Sequence, residues 1–404
     1  MKVLLVNPHD TAQGTFSNAP LGIMYLASAI RDIAEVKISD GYVVGKAGIF
    51  KDIDDWNPDI VGITCYTPGR HKALEIAQYA KSKGCKTVLG GVHPSLMYLQ
   101  MIEHYKFVDV FVKGEGEKAI VEIINDGIPG KNLYEELLID NLDTIRFPAW
   151  DLVNLKAYPG GGNVVHKGIH LGQTRVPVIF SRGCTGNCIF CSTWKIWKTY
   201  RTRSPMNMAN EIEQLVSMGF HHIVFEDDAM TVDLPKTKMM LSELIKRKLP
   251  IAFFATTKVE SFDDELAFLL YEAGCYGISF GVESGSQEVL KRIGKTMLIE
   301  DTKRTVAQAK KAGLSVCALT MVGNPGETTQ TINETISLLR ELEVDEVGTI
   351  GCVWVLPGTA LYNQCKHKGL INDDFWLGQE EVFVYKEQDF KPEWHGHVCM
   401  RTFL

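Results

Sequence analysis

The chain has 404 residues, 45% of them apolar and 23% charged, a globular composition long enough for two or three packed domains that could bury large cofactors. Its formal net charge of -7 comes from mixed charges with no basic block, which excludes a nucleic-acid binder steered by phosphate attraction. No stretch approaches the roughly 18 apolar residues of a spanning helix, and Met1–Pro8 carries only a short apolar run, so the expected setting is soluble and cytoplasmic, with no membrane partner.

The first third alternates apolar strands with helical patterns. Strands are expected at Lys2–Asn7, Val36–Ser39, Asp59–Thr64, Thr87–Gly91 and Asp109–Lys113, and helices at Leu21–Ile33, Lys72–Lys83 and Glu117–Ile124. This order predicts a doubly wound parallel sheet, which binds ligands beyond the carboxyl ends of its strands. The loop-formers sit there: Asn7-Pro8, Thr64-Cys65-Tyr66-Thr67, Gly90-Gly91-Val92-His93-Pro94 and Gly114-Glu115-Gly116-Glu117. Their glycines would let backbone amides approach a bulky ligand.

From Pro129 to Thr174 the pattern is irregular and reads as a linker. Alternation then resumes, with strands at Val176–Ser181, His222–Glu226, Ile251–Thr256, Gly277–Val282, Val316–Val322 and Val347–Val355. Helices near Asn207–Ser217, Thr237–Lys246, Asp264–Tyr271, Ile299–Lys311 and Thr328–Leu342 separate them. Six such units predict a partial parallel barrel, two short of the closed eightfold one. The last 30 or so residues, with Trp376, Trp394, His395 and His397, follow no regular pattern.

Ten cysteines in a chain this long are too dilute for a disulfide framework. Seven of them (Cys65, Cys85, Cys275, Cys317, Cys352, Cys365, Cys399) are scattered, mostly in apolar segments, and read as small buried hydrophobes. Three are clustered in Cys184-Thr185-Gly186-Asn187-Cys188-Ile189-Phe190-Cys191, directly after a strand. Thiolates select iron-sulfur clusters or zinc. Three cysteines within eight residues can hold three corners of a four-iron cluster and leave one iron for an outside ligand. A zinc knuckle needs a fourth ligand, and the nearest downstream candidates are His221 and His222, one of them inside a strand.

This spacing, with Phe190 before the third cysteine, resembles the radical S-adenosylmethionine superfamily, and the resemblance extends over about Arg175–Tyr362. It implies a [4Fe-4S] cluster on Cys184, Cys188 and Cys191 with S-adenosylmethionine chelating the open iron, and an electron donor such as flavodoxin or ferredoxin. By the same resemblance, Glu226, Asp227 and Asp228 meet the methionyl amino group, acidic groups suiting an ammonium. Glu283, Ser284, Gly323, Asn324 and Gly326 would contact the ribose and adenosyl moiety, and Lys258 stands where many relatives carry an arginine near the carboxylate. Read singly, each of these segments is also an ordinary turn or helix cap.

Residues 2–125 resemble the cobalamin-binding module found ahead of many such enzymes, through Pro20-Leu21-Gly22, Pro58–Gly62, Gly90–Pro94 and Gly114–Glu117. Asn141-Leu142-Asp143, Phe147–Trp150 and Tyr200–Pro205 also look like that family. The resemblance implies cobalamin at Asn7, Thr64, Tyr66, Thr67, His71, Gly90, Gly91, His93, Pro94, Gly114 and Glu115. No aspartate-x-histidine-x-x-glycine motif is present, so a base-off cofactor is expected, with His93 a hydrogen-bonding loop residue and Tyr66 and His71 facing the lower side of the corrin.

The expected domains are 1–128 for cobalamin, 129–174 as linker, 175–362 for the radical chemistry and 363–404 as a short C-terminal extension. The expected function is a cobalamin-dependent radical C-methyltransferase acting on an unactivated carbon through methylcobalamin and a 5′-deoxyadenosyl radical. No acid or base is nominated among the side chains, because the chemistry belongs to the cofactors. Two alternatives stand beside it: a cyclase, ring-rearranging enzyme or oxidase without methyl transfer, and a corrinoid-binding sensor or carrier, against which the cysteine loop counts. A laterally open rim makes a peptide or protein side chain the expected substrate, and the alternative is a small molecule held under a tail folded over the mouth through Phe375, Trp376, Trp394 and His395.

Overall fold

A computed structural model describes residues 1–8, 18–128, 132–135, 138–161, 164–378 and 382–385. The chain forms two compact units, each assembled from separated stretches. The first is Met1–Pro159 with Lys195–Trp197 and Tyr362–Val382; the second is Gly160–Trp194 with Lys198–Leu361, rejoined at Phe383.

The first unit runs β1 (Lys2–Asn7), α1 (Leu21–Ile30), β2 (Glu35–Asp40), α2 (Gly41–Trp56), β3 (Ile60–Thr64), α3 (Arg70–Ser82), β4 (Lys86–Gly90), α4 (Val92–His104), β5 (Val110–Lys113), α5 (Glu117–Asp126) and β6 (Leu133–Glu135). Its six strands are parallel in the order β2-β1-β3-β4-β5-β6, so the strand order reverses between β1 and β3. Val3, Leu4, Leu5 and Val6 are all buried, the unbroken apolar run that a parallel strand covered on both faces requires. Val3 and Leu5 share a core with Ile23, Ala27 and Ile30 of α1 and with Ile120 and Ile123 of α5.

Four local departures from the sequence expectation occur here. Helix α2 has a weak pattern because only Gly41, Ile49 and Ile53 are buried and Gly45 breaks the helical backbone at φ 66°. The side chain of Asp40 starts it, accepting the Tyr42 amide at 3.1 Å. Second, Gly90–Pro94 is not a loop throughout. His93 and Pro94 lie in the first turn of α4, where proline forfeits no intrahelical bond. Third, the expected linker contributes β6, paired with β5.

Fourth, the expected irregular tail forms a short helix. Within the second sheet's downstream chain lie α13 (Ala360–His367) and α14 (Asp373–Leu377), the latter capped by Asn372, which accepts the Phe375 amide at 3.2 Å. Trp376 is fully buried in the first unit against the Arg70 guanidinium, 5.0 Å from the ring centroid. Arg70 also donates to the carbonyls of Trp376, Phe375 and Gly378 at 2.8, 3.1 and 3.0 Å, satisfying the open end of α14. Trp394, His395 and His397 lie outside the described residues.

The second unit opens with the hairpin β7 (Val165–His166) and β8 (Ile169–His170), then β9 (Arg175–Val178) and β10 (Ser181–Arg182). After α6 (Thr193–Trp197), whose last three residues are counted with the first unit, and β11 (Arg201–Thr202) come α7 (Pro205–Ser217), β12 (His222–Phe225), α8 (Leu234–Arg247), β13 (Ala252–Thr257), α9 (Asp264–Glu272) and β14 (Cys275–Glu283). The unit continues with α10 (Gln287–Arg292), α11 (Ile299–Lys311), β15 (Ser315–Val322), α12 (Thr329–Leu342) and β16 (Glu346–Cys352). The six strands β9, β12, β13, β14, β15 and β16 pair parallel in chain order, the six strand-helix units expected from the sequence. The carboxyl ends of all six therefore gather on one rim. No described helix is long and apolar enough to cross a membrane.

Two buried polar groups of this unit have measurable consequences. Arg203 pairs with Glu211, both side chains 5% exposed or less, and Arg203 also donates to Asn207 Oδ1 at 2.6 Å and the Ile179 carbonyl at 3.2 Å. Breaking such a pair strands a charge: Glu211→Ala should lower unfolding free energy by about 3–5 kcal/mol, read by urea denaturation. The double variant Arg203→Met, Glu211→Leu should regain most of it. His222 is buried at the start of β12 with Nε2 3.1 Å from the Tyr276 hydroxyl, and burial followed by Arg175 holds its pKa down at about 4. A depressed histidine adds stability above its unfolded value that is lost as pH falls. Between pH 6.5 and 4 this unit should lose about 3 kcal/mol through His222, and His222→Gln should flatten that part of the stability profile.

Candidate functional site

The cysteine loop leaves β10 and is closed at its base by antiparallel pairing of β10 with β11. Its path is set by bonds from distant elements. The carboxylate of Asp227, after β12, accepts the Phe180 amide at 3.1 Å, the Ser181 amide at 2.5 Å and the Ser181 hydroxyl. Further along, the Ile189 amide donates to the Ile293 carbonyl at 3.0 Å and the Ile189 carbonyl accepts the Leu361 amide at 2.9 Å.

Cys184, Cys188 and Cys191 are each partly exposed, unlike Cys65, Cys85, Cys275, Cys317 and Cys365, which are buried. A side chain on Gly186 would stand 3.5 Å from the Cys184 sulfur and 3.7 Å from the Cys188 sulfur, so both sulfurs lie beside the turn between them. Burial pushes the Cys188 thiol up to about 11, opposed by Lys295 and reinforced by Cys191, Glu283 and Cys184. Burial also raises Cys191, against hydrogen bonds from Thr193. Burial thus disfavours the thiolate at Cys188 and Cys191, and a bound cationic centre would favour it. Among the described residues no three such groups stand close enough to hold a metal ion as they are, so it is the donor chemistry of three partly exposed cysteines on one loop that fits an iron-sulfur cluster.

The rim around the loop carries the other expected contacts. Glu226 and Asp228 are exposed, with Asp228 Oδ1 accepting the Thr193 hydroxyl at 3.1 Å. Asp227, between them, is turned inward onto residues 180 and 181, and burial lifts its pKa to about 7 against those donors. Phe190 is partly exposed. Lys258 follows β13, with Nζ 3.7 Å from Glu260 Oε1. Glu283 ends β14 with φ 63°, a left-handed conformation unusual for a non-glycine residue. Its Oε1 lies 3.1 Å from Lys295 Nζ, while its Oε2 is buried without a hydrogen-bond partner.

Ser284 is buried and builds the following turn, accepting the Ser286 amide at 3.2 Å. After β15, Glu327 accepts the amides of Gly323 and Asn324, burial raising its pKa against these bonds, and Asn324 Oδ1 is left buried without a partner. Gly326 has φ 76°, and a Cβ there would fall 2.0 Å from Arg292 Nη1. Asp227, Ser284 and Gly326 are therefore engaged in shaping the rim, whereas Glu226 and Asp228 stay accessible and Glu283 and Asn324 hold unsatisfied oxygens. Such oxygens at the ends of β14 and β15 fit the amino and hydroxyl donors of S-adenosylmethionine. Sequence reasoning missed Lys295, Arg203 and Glu327. Arg203 and Glu327 carried a signal, as part of Tyr200–Pro205 and Gly323–Glu327, and Lys295 carried none.

In the first unit the expected cofactor residues divide in the same way. Asn7 donates to Asp40 Oδ1 at 2.9 Å, and its own Oδ1 is buried without a partner, as is His71 Nδ1. Tyr66 is 55% exposed, an aromatic ring held out from the β3 end, and Thr64 is half-buried before it. Thr67 is buried, with its hydroxyl 3.2 Å from His93 Nδ1. His93 is fully buried, and burial followed by Arg70 drives its pKa to about 3. It is the hydrogen-bonding residue expected, but on a helix rather than in a loop, with Pro94 buried beside it.

A Cβ at Gly91 would meet the Cys65 amide nitrogen at 2.9 Å, so this glycine admits protein backbone rather than a ligand. A Cβ at Gly90 would meet only Val112, at 3.6 Å. Gly114 takes φ 88° and donates to Ser95 Oγ at 3.0 Å, and buried Glu115 accepts the Ile139 amide at 2.5 Å. The reversal of strand order between β1 and β3, with unsatisfied Asn7 and exposed Tyr66 at their ends, fits a large planar cofactor there.

Comparison with known proteins agrees with both halves. Residues 178–339 match the radical SAM superfamily and residues 11–124 match the B12 binding domain. The chain is 32% identical over 435 aligned residues to an uncharacterized methyltransferase of Pyrococcus horikoshii, covering 100% of this chain and 92% of that protein. It is 29% identical to the anaerobic magnesium-protoporphyrin IX monomethyl ester cyclase of Rubrivivax gelatinosus, over 96% of this chain and 72% of the cyclase. Its fold is similar to that of the radical S-adenosylmethionine methyltransferase TsrM from Kitasatospora setae, solved with cobalamin and a [4Fe-4S] cluster. The TM-score is 0.72 at 21% identity, over 91% of this chain and 78% of that one. With both domains matched and a full-length relative above 30% identity, the chain belongs to the cobalamin-dependent radical S-adenosylmethionine methyltransferase family, whose cofactors are a [4Fe-4S] cluster, S-adenosylmethionine and cobalamin.

Proposed function

We propose that this enzyme methylates an unactivated carbon of a low-molecular-mass acceptor, with Cys184, Cys188 and Cys191 as the cluster ligands. The observation that carries the reading is the loop of three accessible thiols at a rim where Glu283 and Asn324 keep unsatisfied oxygens. The bound cofactors supply radical generation from S-adenosylmethionine and a corrinoid methyl donor. The chain's own residues hold and orient. Cys184, Cys188 and Cys191 anchor three irons; Glu226 and Asp228 offer carboxylates to the methionyl ammonium; Glu283 and Asn324 take hydrogen bonds from the amino or sugar groups; and Lys258 offers a cation to the carboxylate. In the first unit Asn7, Thr64, Tyr66, His71, Gly90 and Gly114 lie toward the carboxyl end of the sheet and would hold the cobalamin, with the exposed Tyr66 ring available to pack against it. A reduced cytoplasm with flavodoxin or ferredoxin as electron donor suits this chemistry, and oxygen should inactivate the enzyme.

Small acceptors are supported by the cyclase relative, named for a porphyrin ester. The same relative favours one second reading, ring closure without methyl transfer.

Anaerobically reconstituted protein should carry about four irons per chain, and alanine at Cys184, Cys188 or Cys191 should abolish reductive cleavage of S-adenosylmethionine. Cleavage at the wild-type rate by the triple variant would sink the ligand assignment. Incubation with methyl-labelled S-adenosylmethionine and size-fractionated extract should place label in the low-mass fraction. Label confined to protease-sensitive material would replace the small acceptor by a polypeptide, and turnover with no label transferred would select the ring-closure reading.

A further inference from the structure

Lys295 is a buried lysine for which the chemistry above has no use. It follows α10 by three residues, its side chain is 7% exposed, and its ammonium donates to the Gly281 carbonyl at 2.9 Å and lies 3.1 Å from Glu283 Oε1. The position is built for this pair: a Cβ on Gly281 would fall 2.7 Å from Glu283 Oε1 and 2.9 Å from Lys295 Nζ. The same segment supports the cysteine loop. Gly294, at φ 81°, brings its backbone so close that a Cβ there would meet the Asn187 carbonyl at 2.8 Å and the Cys188 Cα at 3.6 Å, and Ile293 accepts the Ile189 amide. The ammonium is held between the Glu283 carboxylate and the Gly281 carbonyl, so its charge is fixed in place on this segment.

We propose that Lys295 is a positioning residue that makes the iron-sulfur centre easier to reduce by placing a fixed positive charge behind its Cys188 corner. Reduction adds one electron, taken from the external donor, to an already anionic assembly of thiolates and iron. A desolvated cation beside one corner favours the reduced form because net charge and local polarity set cluster potential. Glu283 holds the ammonium in place and offsets part of its field. The inference rests on the assignment of Cys184, Cys188 and Cys191 as cluster ligands.

The test is an anaerobic redox titration of the full-length, reconstituted protein without S-adenosylmethionine, with the reduced cluster read by electron paramagnetic resonance. At a fixed solution potential, Lys295→Met should lower the reduced-to-oxidised ratio about tenfold, equivalent to about 59 mV for a one-electron couple. Lys295→Arg should restore the wild-type ratio, and Glu283→Gln should raise it. An unchanged ratio in a fully loaded Lys295→Met protein would overturn the proposal. So would loss of the cluster in Lys295→Met with retention in Lys295→Arg, since the charge would then serve assembly and not poise. A wild-type protein that takes up no iron would overturn the ligand assignment as well, which separates the two failures.

Discussion

The path of the cysteine loop in the second unit depends on one inward-turned carboxylate. Asp227 stands between two exposed acidic residues, yet it points inward and gathers the amides of Phe180 and Ser181. A loop with three partly exposed cysteines has little regular structure to fix its direction, so its anchorage must come from neighbouring strand ends. Asp227 provides the first anchor, the Arg203 amide donating to the Phe180 carbonyl at 2.9 Å the second, and the Ile189 bonds to residues 293 and 361 the last two. Burying a carboxylate to do this is expensive, and its raised pKa is the sign of that. Metal-ligand loops are oriented by such supporting contacts as much as by the ligands themselves.

Both units obey the same geometric rule. A parallel strand delivers its chain to one rim and hides its return in a helix on a sheet face, so the side chains after the strand ends are collected without any being near in sequence. The segment carrying Glu283 and Lys295, which follows β14, meets the Cys188 loop, which follows β10, for this reason. In the first unit the rule brings Asn7, Tyr66 and Gly114 to one edge of the sheet.

What could be read from the chain follows from the same rule. Buried parallel strands and their amphipathic covering helices leave strong periodic signals, and α11 falls at Ile299–Lys311 as the pattern predicts, with α7, α8, α9 and α12 within a few residues of expectation. Helix α2 escaped because a glycine interrupts it and few of its residues are buried. The start of α4 escaped because a Gly-Gly…Pro segment signals a turn, while the fold uses the proline inside the first turn. At the site, the three cysteines are legible because their spacing is local. Which acidic residue faces inward at Glu226-Asp227-Asp228 is not, because strand alternation alone does not say where the amides of residues 180 and 181 will lie. Lys295 was invisible for a stronger reason: its partners are 12 and 107 positions away along the chain, and no local pattern encodes such a meeting.

The grip of Arg70 on Trp376 has a bearing on how the molecule is made. Arg70 precedes the whole second sheet in the chain, but its buried guanidinium is satisfied by carbonyls at positions 375, 376 and 378. Those residues leave the ribosome only after the strands of the second sheet have been translated. Until they arrive, the Arg70 guanidinium must be solvated by water and the slot for Trp376 stays unfilled. Domains that normally fold in order of synthesis are here tied into a sequence in which the first to begin is the last to finish.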